Sequence, residues 1–298
     1  MRSSLVRLLP LAVRRRLRVA QARWRTLDQR TPYRAVLRQA ERHGPVGWVS
    51  RWCGRRYGWA LPGGARLIID RPSEWMQSLI LKEGAYEPEI AALIRHHVVP
   101  GELFVDVGAN QGQHSVIAAR AGAIVHAFEP LPRLADRVRA NAELNGVSGR
   151  LVVFGTALGA TTGRAYLYEN ARLDDGSHSL LGGIPAAGVE THQVAVTTLD
   201  EHFGGRSLRP HLVKIDVEGY EAGVLDGAQQ TLASIRPMVM IETGDRLADQ
   251  LRESARSVLA RLVKAGYRLH RIHTDRPLEP VTLDDVTGEL ANYWAVAA

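Results

Sequence analysis

"FVDVGANQGQHS", residues 104–115, decides the fold. A short apolar run ends in Asp106, and glycines at 108 and 112 bracket a tight turn that leads into a helical pattern. A strand that passes through a glycine turn into a helix opens a βαβ unit. Working outward, the same rhythm continues. "AIVHAFEP" reads as a second strand, followed by the helix "LPRLADRVRANAELNG", which Asn-Gly stops. "RLVVFGTAL" reads as a third strand and "HLVKIDVEG" as a fourth, followed by the helix "YEAGVLDGAQQTLASI". "PMVMIETG" reads as a fifth, followed by a helix within "RLADQLRESARSVLARLVKAG". "YRLHRIH" and "ANYWAVAA" close the chain as two strands, expected to pair as an antiparallel hairpin at one sheet edge. Upstream, "ARLIID" reads as a short strand and "EPEIAALIRHHVV" as an amphipathic helix entered through Glu87-Pro88. Alternation of this sort implies an α/β fold with a mostly parallel sheet covered on both faces. Residues 160–200 are too polar and glycine-rich for a crossover helix and read as an inserted strand-and-loop region.

Ligands of such sheets bind at the carboxyl ends of the strands. The first strand ends at Asp106 and the second at Glu129, 21 residues past Gly108. An acid at about that distance is placed to accept hydrogen bonds from a ribose. A dinucleotide site would want G-x-G-x-x-G facing a pyrophosphate. Here the turn reads Gly108-Ala109-Asn110-Gln111-Gly112, with Asp106 beside it. A carboxylate there repels a pyrophosphate and attracts an ammonium. S-adenosylmethionine has no phosphate; it carries an amino acid end, a sulfonium and an adenosine ribose. Acid, glycine turn and second acid suit it. An NAD-dependent oxidoreductase on a similar sheet is the alternative.

The fourth strand ends "VKIDVEGYE", so Lys214, Asp216, Glu218 and Glu221 crowd charge into a buried segment. Buried charge needs partners or a function. One reading is an internal ion-pair network. The other places Asp216 or Glu218 at the cleft, where one orients or deprotonates an incoming hydroxyl. Glu242 ends the fifth strand on the same side. Asp216, Glu218 and Glu242 are the catalytic candidates, with His178 or His192 of the insertion as further bases. No metal is predicted.

Together, "ELFVDVGANQGQHS", "AFEPLP" with two asparagines beyond it, "TLD", "VKIDVEGYEAGVLDGA" and "PMVMIET", in this order, resemble the FkbM family of S-adenosylmethionine-dependent methyltransferases. The likeness covers roughly residues 83–245. It implies the class I methyltransferase (Rossmann-like) fold: a seven-stranded sheet whose last strand is antiparallel. It also implies O-methylation, often of a hydroxyl on a sugar, a glycosylated natural product or a surface polysaccharide. By the resemblance, Asp106, Gly108, Asn110 and Gly112 would line the methionine part of the cofactor. Glu129 would hold the ribose, and Thr156, Ala157 and Leu158 would lie by the adenine. An amine or a lipid headgroup is an alternative acceptor.

Composition sets the frame. The 298 residues carry 45% apolar and 23% charged side chains, as soluble globular domains do. Cys53 is the one cysteine, so neither an internal disulfide nor a cysteine zinc cage can form. The net charge of +7 hides an asymmetry. Residues 1–60 hold fifteen arginines against Asp28 and Glu41, a surplus of +13, which leaves −6 for the rest. We read 1–60 as a basic helical extension and 61–298 as the methyltransferase domain, with an insertion at about 160–200. Val13, Leu17, Ala20, Trp24 and Leu27 recur at helical spacing among the arginines. Such a helix packs on the body, lies on an anionic membrane surface or, less in keeping with the whole, meets nucleic acid. A binding protein with an inactive methyltransferase-like body is the reading from another class. With no secretory pattern, a cytoplasmic location is expected, open to attachment at the inner membrane face.

Overall fold

The computed structural model describes residues 58–61, 64–69, 76–77, 79–80, 86–169, 178–181, 190–205, 207–245, 253–274 and 276–298. Residues 1–57, most of the basic extension, lie outside the described residues. The chain divides into two units, one of residues 1–59 and 68–86, the other of 60–67 and 87–298. The second carries the sheet and the site.

Two short strands, β1 (Gly58–Ala60) and β2 (Arg66–Ile68), are followed by helix α1 (Pro88–His97). Then come β3 (Leu103–Val107), α2 (Gln113–Arg120), β4 (Ile124–Phe128), α3 (Pro132–Leu144) and β5 (Leu151–Phe154). A second group holds β6 (Ala157–Leu158), β7 (Gly163–Glu169), β8 (His178–Leu181), β9 (Glu190–Thr197) and the short helix α4 (Leu199–Phe203). The chain returns with β10 (Pro210–Ile215), α5 (Glu221–Asp226), β11 (Met238–Thr243), α6 (Ala255–Lys264), β12 (Tyr267–Arg271), β13 (Glu279–Val281) and β14 (Ala291–Ala297).

The large sheet has the order β5-β4-β3-β10-β11-β14-β12-β13. From β5 to β11 all pairings are parallel, and β14 runs antiparallel to both its neighbours. This is the class I methyltransferase order, with the order reversing between β3 and β10. Two details differ from the sequence reading. The sheet has eight strands rather than seven, because Glu279–Val281 adds an edge strand to β12. β12 and β14 do pair, but not as an edge hairpin. β14 slots between β11 and β12, and Tyr293, Trp294 and Ala295 are buried there. Its apolar centre is suited to a strand bonded on both sides.

The sheet alternates by face, as the period of two demands. Val105, Val107, Val213, Ile215, Val239 and Ile241 pack with Val224 and Leu225 of α5 and Val258, Leu259 and Leu262 of α6. The residues between them, Phe104, Asp106, Leu212, Lys214, Met240 and Glu242, face the other way, where Ser115 of α2 reaches Asp106. The expected single helix over 220–235 is instead α5 followed by a π-helical turn, Thr231–Ile235. Asp200 at the start of α4 accepts hydrogen bonds from the backbone N–H groups of Gln230 and Thr231, which anchors that turn.

The third strand is also split. Leu151–Phe154 stays in the large sheet, whereas Ala157–Leu158 turns into a four-stranded second sheet of order β6-β9-β7-β8. The 160–200 insertion is that second sheet. Among the described residues, no helix is long and apolar enough to cross a membrane.

Candidate active site

The glycine turn follows β3 and is built by close backbone approach. Gly108 has φ +82°, and a Cβ there would lie 1.8 Å from the Asp216 carbonyl oxygen. No side chain fits, so glycine is required for β3 and β10 to run together at this point. The N–H groups of Gly108 and Ala109 both donate to the Phe128 carbonyl, and that of Asp216 donates to Val107. Asn110 takes a left-handed φ of +51°. Gly112 caps α2 at φ +81°, where a Cβ would meet Val138 at 2.8 Å. Asn141 of α3, fully buried, donates from Nδ2 to the Gln111 carbonyl at 2.7 Å and holds the turn from behind.

Glu129, just past β4, accepts from the Asn110 N–H at 2.8 Å through Oε2 and from the Leu131 N–H at 3.0 Å through Oε1. Burial outweighs these bonds and lifts its carboxyl to about 7. The carboxyl is thereby fixed beside the turn, 21 positions after Gly108 as the spacing implies.

Asp106 and Lys214 are register partners across β3 and β10, so both side chains stand on one face. Asp106 is 1% exposed; its Oδ2 accepts from Ser115 Oγ at 2.5 Å, and Oδ1 accepts no hydrogen bond. Burial, eased by Lys214 and Ser115, raises its pKa. Lys214 Nζ lies 2.8 Å from Asp216 Oδ2 and 4.0 Å from Asp106 Oδ1. Burial alone would lower the Lys214 ammonium, but Asp216, Asp106 and Glu87 outweigh it and hold it above the ordinary lysine value. The internal ion-pair network, one of the two readings of this segment, is therefore present.

Glu218 sits in the left-handed region, φ +54°, ahead of Gly219 at φ +103°. Glu221 secures that loop: its Oε1 accepts from the N–H groups of Gly219 at 3.0 Å and Val217 at 3.3 Å. Burial first, then nearby Asp216, brings Glu221 to about 7 despite those bonds. Glu242, next to last in β11, stands on the same face as Lys214. Burial, then Asp216, Glu87 and Glu218, push it up to about 9. Asp216 and Glu218 thus lie near enough to Glu242 to act on its charge.

The adenine-side residues fall less simply. Thr156 is half-buried, but Ala157 packs with Leu131, Leu134 and Val196, and Leu158 packs in the main core with Phe128. Those two side chains are spent on packing, so a ligand would meet their backbone. His192 is half-buried on β9, opposite Leu167; of the His178 side chain nothing is described.

Sequence reasoning missed Glu87, Ser115, Asn141 and Asn292. Ser115 had a signal, standing one helical turn after Gly112 on the face that meets the sheet. Glu87 and Asn292 had none, because only the fold brings positions 205 apart to one place.

The strand ends therefore offer an aspartate oxygen with no hydrogen-bond donor, a turn of two left-handed glycines and an anchored glutamate. These features fit the amino acid end and the ribose of S-adenosylmethionine, and leave no anion cradle free of carboxylates for a pyrophosphate.

Comparison with known proteins agrees. Over 165 residues the chain is 32% identical to the 31-O-demethyl-FK506 methyltransferase FkbM of Streptomyces tacrolimicus, covering 46% of this chain and 64% of that one. Over 155 residues it is 27% identical to the hexuronic acid methyltransferase AglP of Haloferax volcanii, covering 52% and 61%. The chain spans less than two thirds of the length of either relative. Among solved structures, a methyltransferase FkbM from Methylobacillus flagellatus overlaps 85% of this chain and 72% of its own at 13% identity, with a TM-score of 0.42. The strand order, not that likeness, identifies the fold. The model of the methyltransferase FkbM domain matches residues 106–269, which span the glycine turn, Glu129, Lys214, Asp216 and Glu242; the chain belongs to the FkbM methyltransferase family, whose cofactor is S-adenosylmethionine.

Proposed function

We propose that this chain transfers a methyl group from S-adenosylmethionine to a hydroxyl oxygen, most simply one on a sugar or a glycosylated natural product. The observation that carries the reading is the single cluster at the ends of β3, β10 and β11: a cofactor-side acid, Asp106, and an acceptor-side acid, Asp216, share one lysine. Family membership favours methyl transfer over the NAD-dependent oxidoreductase and over an inactive body. The two curated relatives, named for a macrolide and a hexuronic acid, support an oxygen acceptor.

S-adenosylmethionine supplies a methyl group made electrophilic by its sulfonium. Asp106, Gly108, Asn110 and Gly112 would hold its amino acid end, and Glu129 its ribose. The protein must place the acceptor oxygen in line with that methyl, and positioning of this kind accounts for much of such catalysis. A sugar hydroxyl is a weak nucleophile, so a base helps, by about 10²–10⁴ in rate. Asp216 is the base in this proposal. It has its counter-ion, Lys214, at 2.8 Å and stands on the open side of the network. Burial and the neighbouring carboxylates raise Glu242 above the usual carboxylate range, which favours its protonated form over a role as base. In this proposal the second sheet, β6 to β9, selects the acceptor, since variable segments on a fixed scaffold carry specificity.

Calorimetric titration of S-adenosylmethionine into the protein and into Glu129→Ala tests the cofactor half. Binding that is lost in the variant, with no heat from NAD, is expected; absence of binding to folded protein would sink the proposal. Transfer of radiolabelled methyl to a panel of neutral sugars, uronic acids, amino sugars and macrolide hydroxyls then tests the acceptor half. The basic extension enters the proposal as a cytoplasmic-side contact with anionic lipid. Salt-sensitive binding of the full chain to phosphatidylserine vesicles, absent with phosphatidylcholine alone, is the expected result.

A further inference from the structure

Tyr220 stands where the loop after β10 meets the second sheet. It follows Gly219 and directly precedes α5. Its backbone is held on both sides. Glu221 Oε1 accepts from the Gly219 N–H at 3.0 Å, and the Tyr220 carbonyl accepts from the Val224 N–H at 3.2 Å. Its ring is held by two glycines. A Cβ at Gly223, in the first turn of α5, would lie 2.5 Å from Tyr220 Cε1 and 2.8 Å from Cζ. A Cβ at Gly159, just past β6, would lie 3.1 Å from the same Cε1 and 2.9 Å from Val196 Cγ1 of β9. The ring thus fills room that two absent side chains leave, and in a close-packed interior such room fixes its place.

The rest of the ring is not committed in this way. Tyr220 is half-buried, and its hydroxyl makes no hydrogen bond among the described residues. A tyrosine wedged along one side, with its O–H open, offers a ligand a rigid contact that is both apolar and polar at little entropic cost.

The surroundings say which part of the ligand. Tyr220 packs against the cluster of Leu131, Leu134, Ala157, Leu167, Val194 and Val196, which joins α3 to the second sheet. Leu131 is the residue whose N–H donates to Glu129 Oε1, the acid set for the ribose. Ala157 is one of the three residues that the family resemblance lays by the adenine, and its side chain, like that of Leu158, is spent on packing. An adenine base is flat, with hydrogen-bonding groups along its edge, and neither of those two side chains can meet it. Tyr220 is the aromatic residue packed on the same cluster, and a phenol hydroxyl serves as donor or acceptor.

We infer that Tyr220 is a cofactor-contact residue that holds the adenine of S-adenosylmethionine through its ring and its hydroxyl. The inference rests on the orientation given under the proposed function, with the ribose on Glu129.

The test needs no acceptor and reads contact directly. The full chain is labelled with ring-¹³C tyrosine and saturated with S-adenosylhomocysteine, the demethylated and chemically stable form of the cofactor. Cross-relaxation between tyrosine ring protons and adenine H2 or H8 is then recorded by NMR, and the Tyr220 signals are assigned by their disappearance in Tyr220→Phe. Expected are cross-peaks from Tyr220 to the adenine. Calorimetry should show affinity for S-adenosylhomocysteine reduced about threefold to tenfold in Tyr220→Phe, which keeps the ring between the glycines, and about tenfold or more in Tyr220→Ala. A saturated wild-type complex in which no tyrosine ring proton contacts the adenine would overturn the inference even if neither variant folds. So would cofactor affinity unchanged in both variants, the result that a merely structural tyrosine, or one that meets only the acceptor, would give. Failure of folded wild type to bind S-adenosylmethionine or S-adenosylhomocysteine removes the cofactor reading and this inference together; binding that is lost in Glu129→Ala but indifferent to Tyr220 removes this inference alone.

Discussion

Lys214 and Asp106 face each other across adjacent parallel strands, with Nζ 4.0 Å from Oδ1, and neither side chain is more than 5% exposed. Among the described residues Lys214 is the cation paired with both aspartates, so its removal strands Asp106 and Asp216 together. Breaking a buried pair from one side costs about 3–5 kcal/mol, because the remaining charge is uncompensated. Lys214→Met is expected to lose stability of that order by urea denaturation at pH 7. The loss should shrink as pH falls and the carboxyls take up protons. A loss that does not vary with pH would count against the network.

Gly108 has no room for a methyl group. Gly108→Ala would drive a Cβ against the Asp216 carbonyl and impose a positive φ on alanine. The two nearest atoms are backbone, the carbonyl oxygen and carbon of Asp216, and do not yield as a flexible side chain would. We expect S-adenosylmethionine affinity to fall by roughly two orders of magnitude, with a stability loss of about 1–3 kcal/mol. Titration calorimetry and thermal melting check the two parts.

Asn145 separates stability from function. At the end of α3 its Oδ1 accepts from the Arg66 N–H at 2.8 Å, and its Nδ2 donates to the Arg66 carbonyl at 2.6 Å and to the Asn141 carbonyl at 2.7 Å. It touches no site carboxyl in these contacts. Asn145→Ala should cost about 1–3 kcal/mol by leaving backbone groups unpaired. Amide exchange at Arg66 should quicken, while cofactor affinity stays within about threefold of wild type.

Stability should decline with rising pH in an unusual window. Glu87, Glu129 and Glu221 are raised from 4.5 to about 7, and Glu242 to about 9. The folded state therefore holds protons that the unfolded chain releases above 4.5. The stabilisation is complete below that value and is lost as pH rises through 7 and then 9. Glu242→Gln removes the last part of the loss. Relative to wild type, it is expected to be more stable at pH 9 than at pH 6. Equal differences at both pH values would show that Glu242 titrates normally.

Much of this was legible because local chemistry and global topology agree. Asp106, the glycines at 108 and 112, and Glu129 lie within 24 consecutive residues, and strand–turn–helix geometry fixes them. Asp216 and Glu242 each end a strand, so parallel packing brings them to one end of the sheet. What escaped was set by pairings between distant strands. That Ala157–Leu158 leaves the large sheet depends on β9, and that β14 takes an inner place depends on β11. "PLEPV" carries two prolines and an acid and gives no strand signal, yet an edge strand needs bonds on one side only. Glu87 and Asn292 were invisible for the same reason: their neighbourhood exists only once β14 is in place.

The alternation along β10 has a consequence for fidelity of folding. Val213 and Ile215 point into the apolar layer against α5 and α6, while Lys214 points to the acids. A slip of one residue would exchange the two faces, sending an ammonium into hydrocarbon and leaving Asp106 without its cation. The reacting groups thus act as a key that only one strand register can turn, and a chain assembled out of register is discarded by the electrostatics that its active site needs.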